Sequence, residues 1–202
     1  YESERGIPGA IVNNVWRRGE RQNDLNVFFQ GRFQRDITSR FSTRWMTKYA
    51  YYRTHYANRD TTQLPVNNRF WQQEAYISTT NAYEILPGWS ASLAYDFKWN
   101  KLNADVYRFV FPQRKSHFAS FATSLERWII GVQASVLGIF VNDRLRAGSQ
   151  KNISRFVPAL FLNIRPFSGK TVSFRAFAKQ SFRMPTFNDL YYTDVGNAAL
   201  RP

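Results

Sequence analysis

Along most of this chain polar and apolar residues alternate with a period of two, and no segment sustains a helical period. The cleanest stretch is 89–99. There Trp89, Ala91, Leu93, Tyr95, Phe97 and Trp99 fall on one face, and Ser90, Ser92, Ala94, Asp96 and Lys98 on the other. Successive strand side chains point to opposite sides of a sheet, so such a strand has one apolar side and one polar side. Residues 41–52 repeat the pattern, with Phe41, Trp45, Tyr49 and Tyr51 opposing Ser42, Arg44, Met46 and Lys48. So do 25–34, 156–165 and 172–181. Three stretches are less regular: 70–85 is interrupted by Gln73 and Asn81, 116–126 is small and mixed, and 128–141 is apolar on both faces. The pattern predicts an all-β antiparallel fold of about eight strands.

The connections add a second rhythm. Short turns are expected at 35–39, at Pro87-Gly88, around Glu126-Arg127 and at 167–169, and long polar connections at 55–69, 100–115, 142–154 and from 183 onward. Strict alternation puts every short turn at one end of the sheet and every long connection at the other. A Greek-key sandwich has no reason to keep that order. An outer-membrane barrel does, with tight periplasmic turns and long extracellular loops. Strand length agrees. About ten residue steps from Trp89 to Trp99, at ~3.3 Å each and tilted by about 45°, project to roughly 23 Å, close to the ~25 Å apolar band of such barrels. Trp89 and Trp99 end that strand where amphipathic rings favour a membrane interface.

A soluble sandwich or barrel with the same face packed inward is the competing reading. Repeated Trp and Tyr are bulky for the interior of a small barrel and natural against lipid. The opposite face carries Arg32, Arg44, Lys48, Asp96, Lys98, Arg175 and Lys179, which suit a watery lumen. Residues 1–20 read as the end of a preceding strand followed by a loop, and the chain stops at Pro202 within another long loop. The expectation is therefore that residues 1–202 form part of a larger barrel domain.

Composition narrows the chemistry. Of 202 residues, 28 are Lys or Arg and 14 are Asp or Glu, a formal charge of +14. With 17% aromatic residues the chain is no disordered basic tail. The absence of Cys excludes a disulfide framework, a zinc ribbon and a thiol nucleophile. His55 and His117 are too far apart in sequence to suggest a metal pair. No run of about 18 apolar residues offers a transmembrane helix. The clusters Arg17, Arg18, Arg21 and Arg144, Arg146, Lys151, Arg155 punctuate apolar stretches without forming one basic stripe, so no nucleic-acid partner is expected. No Gly-x-Ser-x-Gly elbow, His-containing triad or interpretable carboxylate pair occurs, so neither an enzyme nor a cofactor is expected.

The segment Phe182-Arg183-Met184-Pro185-Thr186-Phe187-Asn188-Asp189-Leu190-Tyr191-Tyr192, followed by Gly196-Asn197-Ala198-Ala199-Leu200-Arg201-Pro202, resembles the barrel of TonB-dependent outer-membrane receptors. In that family a strand ends at Arg-x-Pro, and a Leu-containing turn leads to Gly-Asn-x-x-Leu-x-Pro. Arg5-Gly6-Ile7-Pro8-Gly9, with Asn14-Val15-Trp16-Arg17-Arg18-Gly19-Glu20-Arg21 after it, resembles an earlier loop of the cobalamin-receptor-like branch found in Bacteroidetes. Pro185 lacks an N–H and is expected to stop the strand leaving Phe182. Asn188 and Asp189 suit a turn, and Gly196-Asn197 a chain reversal.

The resemblance implies an outer-membrane barrel of about 22 strands around a plug, which binds a scarce nutrient at the cell surface and imports it with energy from TonB. Cobalamin is the favoured ligand, with an iron-chelating siderophore or haem next. Implied partners are TonB, acting through a region ahead of the barrel, the membrane lipid and lipopolysaccharide, and a surface lipoprotein. Loop arginines would meet lipopolysaccharide phosphates, and Arg32 and Arg175 would face the plug. Ligand contact is expected from Tyr107, Arg144, Tyr191 and Tyr192, because Tyr offers a broad apolar face and one hydrogen-bonding group. A porin or adhesin barrel, and a soluble basic β-domain binding nucleic acid or glycan, are the alternatives.

Overall fold

The structure is a computed structural model describing residues 2–6, 20–58, 66–146, 148–149, 152–167, 172–187 and 190. Its strands are β1 (Glu2–Gly6), β2 (Glu20–Asp36), β3 (Phe41–Asn58), β4 (Val66–Leu86), β5 (Trp89–Ala104), β6 (Gln113–Arg127), β7 (Ile130–Leu145), β8 (Gly148–Ser149), β9 (Ile153–Ile164) and β10 (Phe174–Lys179). They form a single antiparallel sheet in the order β1-β2-β3-β4-β5-β6-β7-β9-β10, with the two-residue β8 beside β7. Apart from β8, neighbours in sequence are neighbours in the sheet. The sheet is open, running from β1 at one edge to β10 at the other.

Each stretch expected as a strand contributes to this sheet, 172–181 only through Phe174–Lys179 and 128–141 only from Ile130, and β1 supplies the end of a preceding strand that residues 1–20 suggested. Three of the short turns are tight, at 37–40, at Pro87-Gly88 and at 128–129, and Ser168 and Gly169 of the fourth lie outside the described residues. The third falls past the expected Glu126-Arg127, because Arg127 still pairs with Ile130 and Trp128 takes the positive φ of 53°. In the first, the Thr38 hydroxyl accepts from the backbone N–H groups of Arg40 at 3.2 Å and Phe41 at 3.0 Å, which closes the chain reversal.

The long connections are shorter than their polarity suggested. β3 and β4 continue to Asn58 and from Val66, β5 and β6 are separated only by 105–112, and β7 runs to Leu145. The added lengths, such as 53–58, carry no alternating apolar face, so alternation of hydrophobicity could not mark them as strand. β10, in contrast, ends at Lys179, before the expected stop at Pro185.

What buried core there is lies at the long-connection end. Leu102, Ala104, Phe109, Phe187 and Leu190 are buried together, with Phe70, Val106, Val110, Phe111 and Leu145 against them. The 105–112 connection, with Phe187 and Leu190, thus lies over one face of the sheet.

Candidate functional site

Residues directly opposite each other in an antiparallel pair point to the same side, so the register assigns every strand residue to a face. One row reads Phe33, Trp45, Thr79, Tyr95, Ala119, Gly138 and Phe156 from β2 to β9. Extending this bookkeeping along each strand brings all the apolar faces together. They include Val27 and Phe29 of β2, Tyr49 of β3, Ile77 of β4, Leu93 of β5, Phe121 of β6, Val136 of β7, Leu160 of β9 and Phe174 of β10. No other layer covers this face among the described residues. Phe29 is 72% exposed, Leu93 59% and Phe156 63%, and Trp45, Tyr83 and Trp89 are exposed as well.

Several polar side chains within the band are paired locally. The Thr43 hydroxyl donates to the Asn81 side-chain oxygen at 2.8 Å. The Trp89 indole N–H donates to the Thr123 hydroxyl at 3.1 Å, which itself donates to the Ser90 carbonyl at 2.9 Å. The His117 ring lies 5.0 Å from that of Phe97, and its Nδ1 is 2.7 Å from the Tyr95 hydroxyl. Asn81, which interrupted the alternation of 70–85, is thereby a paired side chain.

The apolar band crosses the hydrogen-bonded rows obliquely. On β2 it runs from Leu25 to Phe33, with Arg35 next on that face, and on β9 from Phe156 to Ile164, with Ser154 before it. Phe33 and Phe156 share a row but mark opposite rims of the band. Between β2 and β9 the band has shifted by its own length, about eight residues over about six strand steps. At ~3.3 Å per residue and ~4.8 Å between strands this is a slope of roughly 42°.

The opposite face is polar and carries a connected charge network. The Glu74 carboxylate of β4 meets Lys98 Nζ at 2.8 Å and Lys48 Nζ at 3.7 Å, and accepts from the Asn100 amide at 3.0 Å. Arg114 of β6 grips Asp143 of β7 with two nearly parallel bonds, Nε to Oδ1 at 2.7 Å and a terminal nitrogen to Oδ2 at 2.6 Å. Both side chains are buried. The remaining terminal nitrogen of Arg114 donates to the Pro185 carbonyl at 2.6 Å, and the guanidinium carbon sits 4.9 Å from the centre of the Phe187 ring. The Met184–Phe187 stretch is thereby held as a ledge across the polar face. Beneath it lies a cavity of about 360 Å³ lined by residues that include Glu74, Lys98, Arg114 and Phe187.

Of the expected contact residues, Tyr107 lies in the 105–112 connection, 84% exposed, with the Arg108 guanidinium 5.2 Å from its ring centre. Arg144 was placed beyond the end of its strand. The structure instead carries β7 to Leu145 and pairs Arg144 with Gln113, on the side of the apolar band. Tyr191, Tyr192, Asn188, Asp189, Gly196 and Asn197 lie outside the described residues. Sequence reasoning missed Arg114 and Asp143, both assigned to loops and 29 residues apart. Only the β6–β7 register joins them, and no local pattern announces it.

No protein-family profile matches the chain, and no curated protein matches it.

Proposed function

We propose that this sheet is an arc of the wall of a bacterial outer-membrane β-barrel, and that the barrel is a TonB-dependent receptor importing a scarce nutrient. The observation that carries the membrane reading is the uncovered apolar face and its obliquity. A band inclined at roughly 42° to the hydrogen-bonded rows is what strands tilted by about 35–45° produce when the band lies flat in a bilayer. A soluble sandwich would cover this face with a second sheet. The local pairing of Trp89, Asn81 and His117 supports the same reading, because hydrocarbon supplies no hydrogen-bonding partner.

In this reading the polar face looks into the lumen. The ledge at Met184–Phe187 narrows the lumen at the extracellular end, and the small side chains Ser92, Ala122, Ser124 and Ser135, which border a cavity of about 720 Å³, leave room for a plug. Tyr107 of the 105–112 connection, with Tyr191 and Tyr192, is assigned to ligand contact, whereas Arg144 belongs to the lipid-side rim. The receptor type, TonB as partner and cobalamin as first ligand rest on the resemblance of 182–202. Siderophore and haem follow cobalamin. Binding and uptake need no covalent chemistry, and the reading assigns none.

The natural absence of Cys gives a direct test. In lipid vesicles, single cysteines replacing Ala91, Leu93 or Tyr95 should resist a membrane-impermeant thiol reagent, and those replacing Ser92, Ala94 or Asp96 should react with it. Equal reaction at all positions would refute the membrane wall. If the alternation holds and the complete protein binds none of cobalamin, ferric siderophore and haem, the nutrient assignment fails by itself.

A further inference from the structure

On the face of the apolar band, each strand from β2 to β7 presents a cation toward the long-connection end: Arg21, Arg53, Arg69, Lys101, Lys115 and Arg144. Arg53 occupies the next position on that face after Tyr51, and Lys101 the next after Trp99, so the cations begin where the aromatic rim stops. The opposite end of the same face holds Phe41, Tyr83, Trp89 and Ile130, with Arg35 and Arg127 as exceptions. Among the described residues, Arg21 is the one member of the rim with an ion-pair partner, Glu4 at 3.1 Å.

The rim is richest between β2 and β4. Arg21, Arg53, His55, Arg69 and Trp71 line a cavity of about 540 Å³, closed on the β1 side by Glu2 and Glu4. His55 is 2.6 Å from the Asn67 side-chain oxygen, and Glu4 is taken by Arg21, so the free cations are Arg53 and Arg69. These two are diagonal neighbours, since Arg53 opposes Trp71 and His55 opposes Arg69. Such neighbours have backbones about 7–8 Å apart, within reach of two long side chains converging on one group. Guanidinium forks match phosphate oxygens, and the flat face of Trp71 suits a sugar ring. Glu2 would repel an anion near β1, which places the phosphate over β3 and β4.

We propose that this rim is a binding site for the phosphorylated sugar headgroup of an outer-leaflet glycolipid, with Arg53 and Arg69 holding the phosphate. The inference rests on the membrane reading. Its test uses the complete protein in detergent, titrated with fluorescent lipid A bearing both phosphates or none, and separately with inorganic phosphate, while flotation with phosphatidylcholine vesicles reports insertion. The expected result is about tenfold tighter binding of the bisphosphorylated lipid. That preference should disappear in the double variant Arg53→Gln/Arg69→Gln, flotation should be unchanged, and millimolar inorganic phosphate should not bind measurably. Flotation without a phosphate preference, or a double variant that keeps it, would overturn the site and leave the membrane reading standing. Inorganic phosphate binding as tightly as the lipid would make this a free-anion site and overturn the lipid assignment. Failure to float would remove both.

Discussion

The Arg114–Asp143 pair offers the sharpest energetic prediction. Replacing Arg114 by Met removes two bonds to Asp143, the bond to the Pro185 carbonyl and the contact with Phe187, and leaves a carboxylate that is 4% exposed. Solvent screens little at that exposure, so the variant should lose about 3–5 kcal/mol, the cost of breaking a buried pair from one side. Replacing both partners, Arg114→Met with Asp143→Leu, removes the orphaned charge and should return the protein to within about 1–2 kcal/mol of the parent. What remains is the anchor of the ledge, one charged hydrogen bond and a cation–π contact. Urea unfolding in vesicles measures the energies, and hydrogen exchange at 184–187 reads the ledge, which should lose protection in both variants. A single variant within about 1 kcal/mol of the parent, or a double variant no better than the single, would refute the reasoning.

Gly88 is held at a φ of +80°, and a Cβ there would collide with the Glu126 carbonyl oxygen on the adjacent strand β6. Gly88→Ala should therefore cost about 1–2 kcal/mol in urea unfolding, against less than about 0.5 kcal/mol for alanine at the nearby exposed β5 position Ser90. Alanine at Tyr107, Tyr191 and Tyr192 together should weaken nutrient binding by at least about tenfold in a titration. Because Tyr107 is exposed, its part should come with less than about 0.5 kcal/mol of stability lost; unchanged affinity would remove the tyrosines from the site.

The sheet was legible wherever one face is apolar, because alternation reports which residues share a face. It was illegible where neither face is consistently apolar, as at 53–58, and there the strands outran the expectation. The ledge was hidden for another reason. Pro185 does not end a strand here; its carbonyl serves as acceptor for an arginine 71 residues away, a contact set by register and invisible to local propensity. Arg144 shows the converse error. A charged residue near a polar stretch reads as loop, while its pairing with Gln113 fixes it in a strand and on a definite face. The rim of cations was visible only as a scattered excess of Lys and Arg until the register gathered it at one edge of the apolar band.

The central claim is that lipid covers the apolar face, and one host position tests it most directly. Leu93 lies mid-band, 59% exposed. If water covers it, Leu93→Arg is a surface change worth less than about 0.5 kcal/mol. If hydrocarbon covers it, the arginine costs about 2–4 kcal/mol at mid-depth, falling to about 0–1 kcal/mol when the substitution is moved to Trp89 or Trp99 at the rims. Reversible urea unfolding in vesicles across Trp89→Arg, Leu93→Arg and Trp99→Arg should give that peaked profile, and a flat profile below about 0.5 kcal/mol would contradict it.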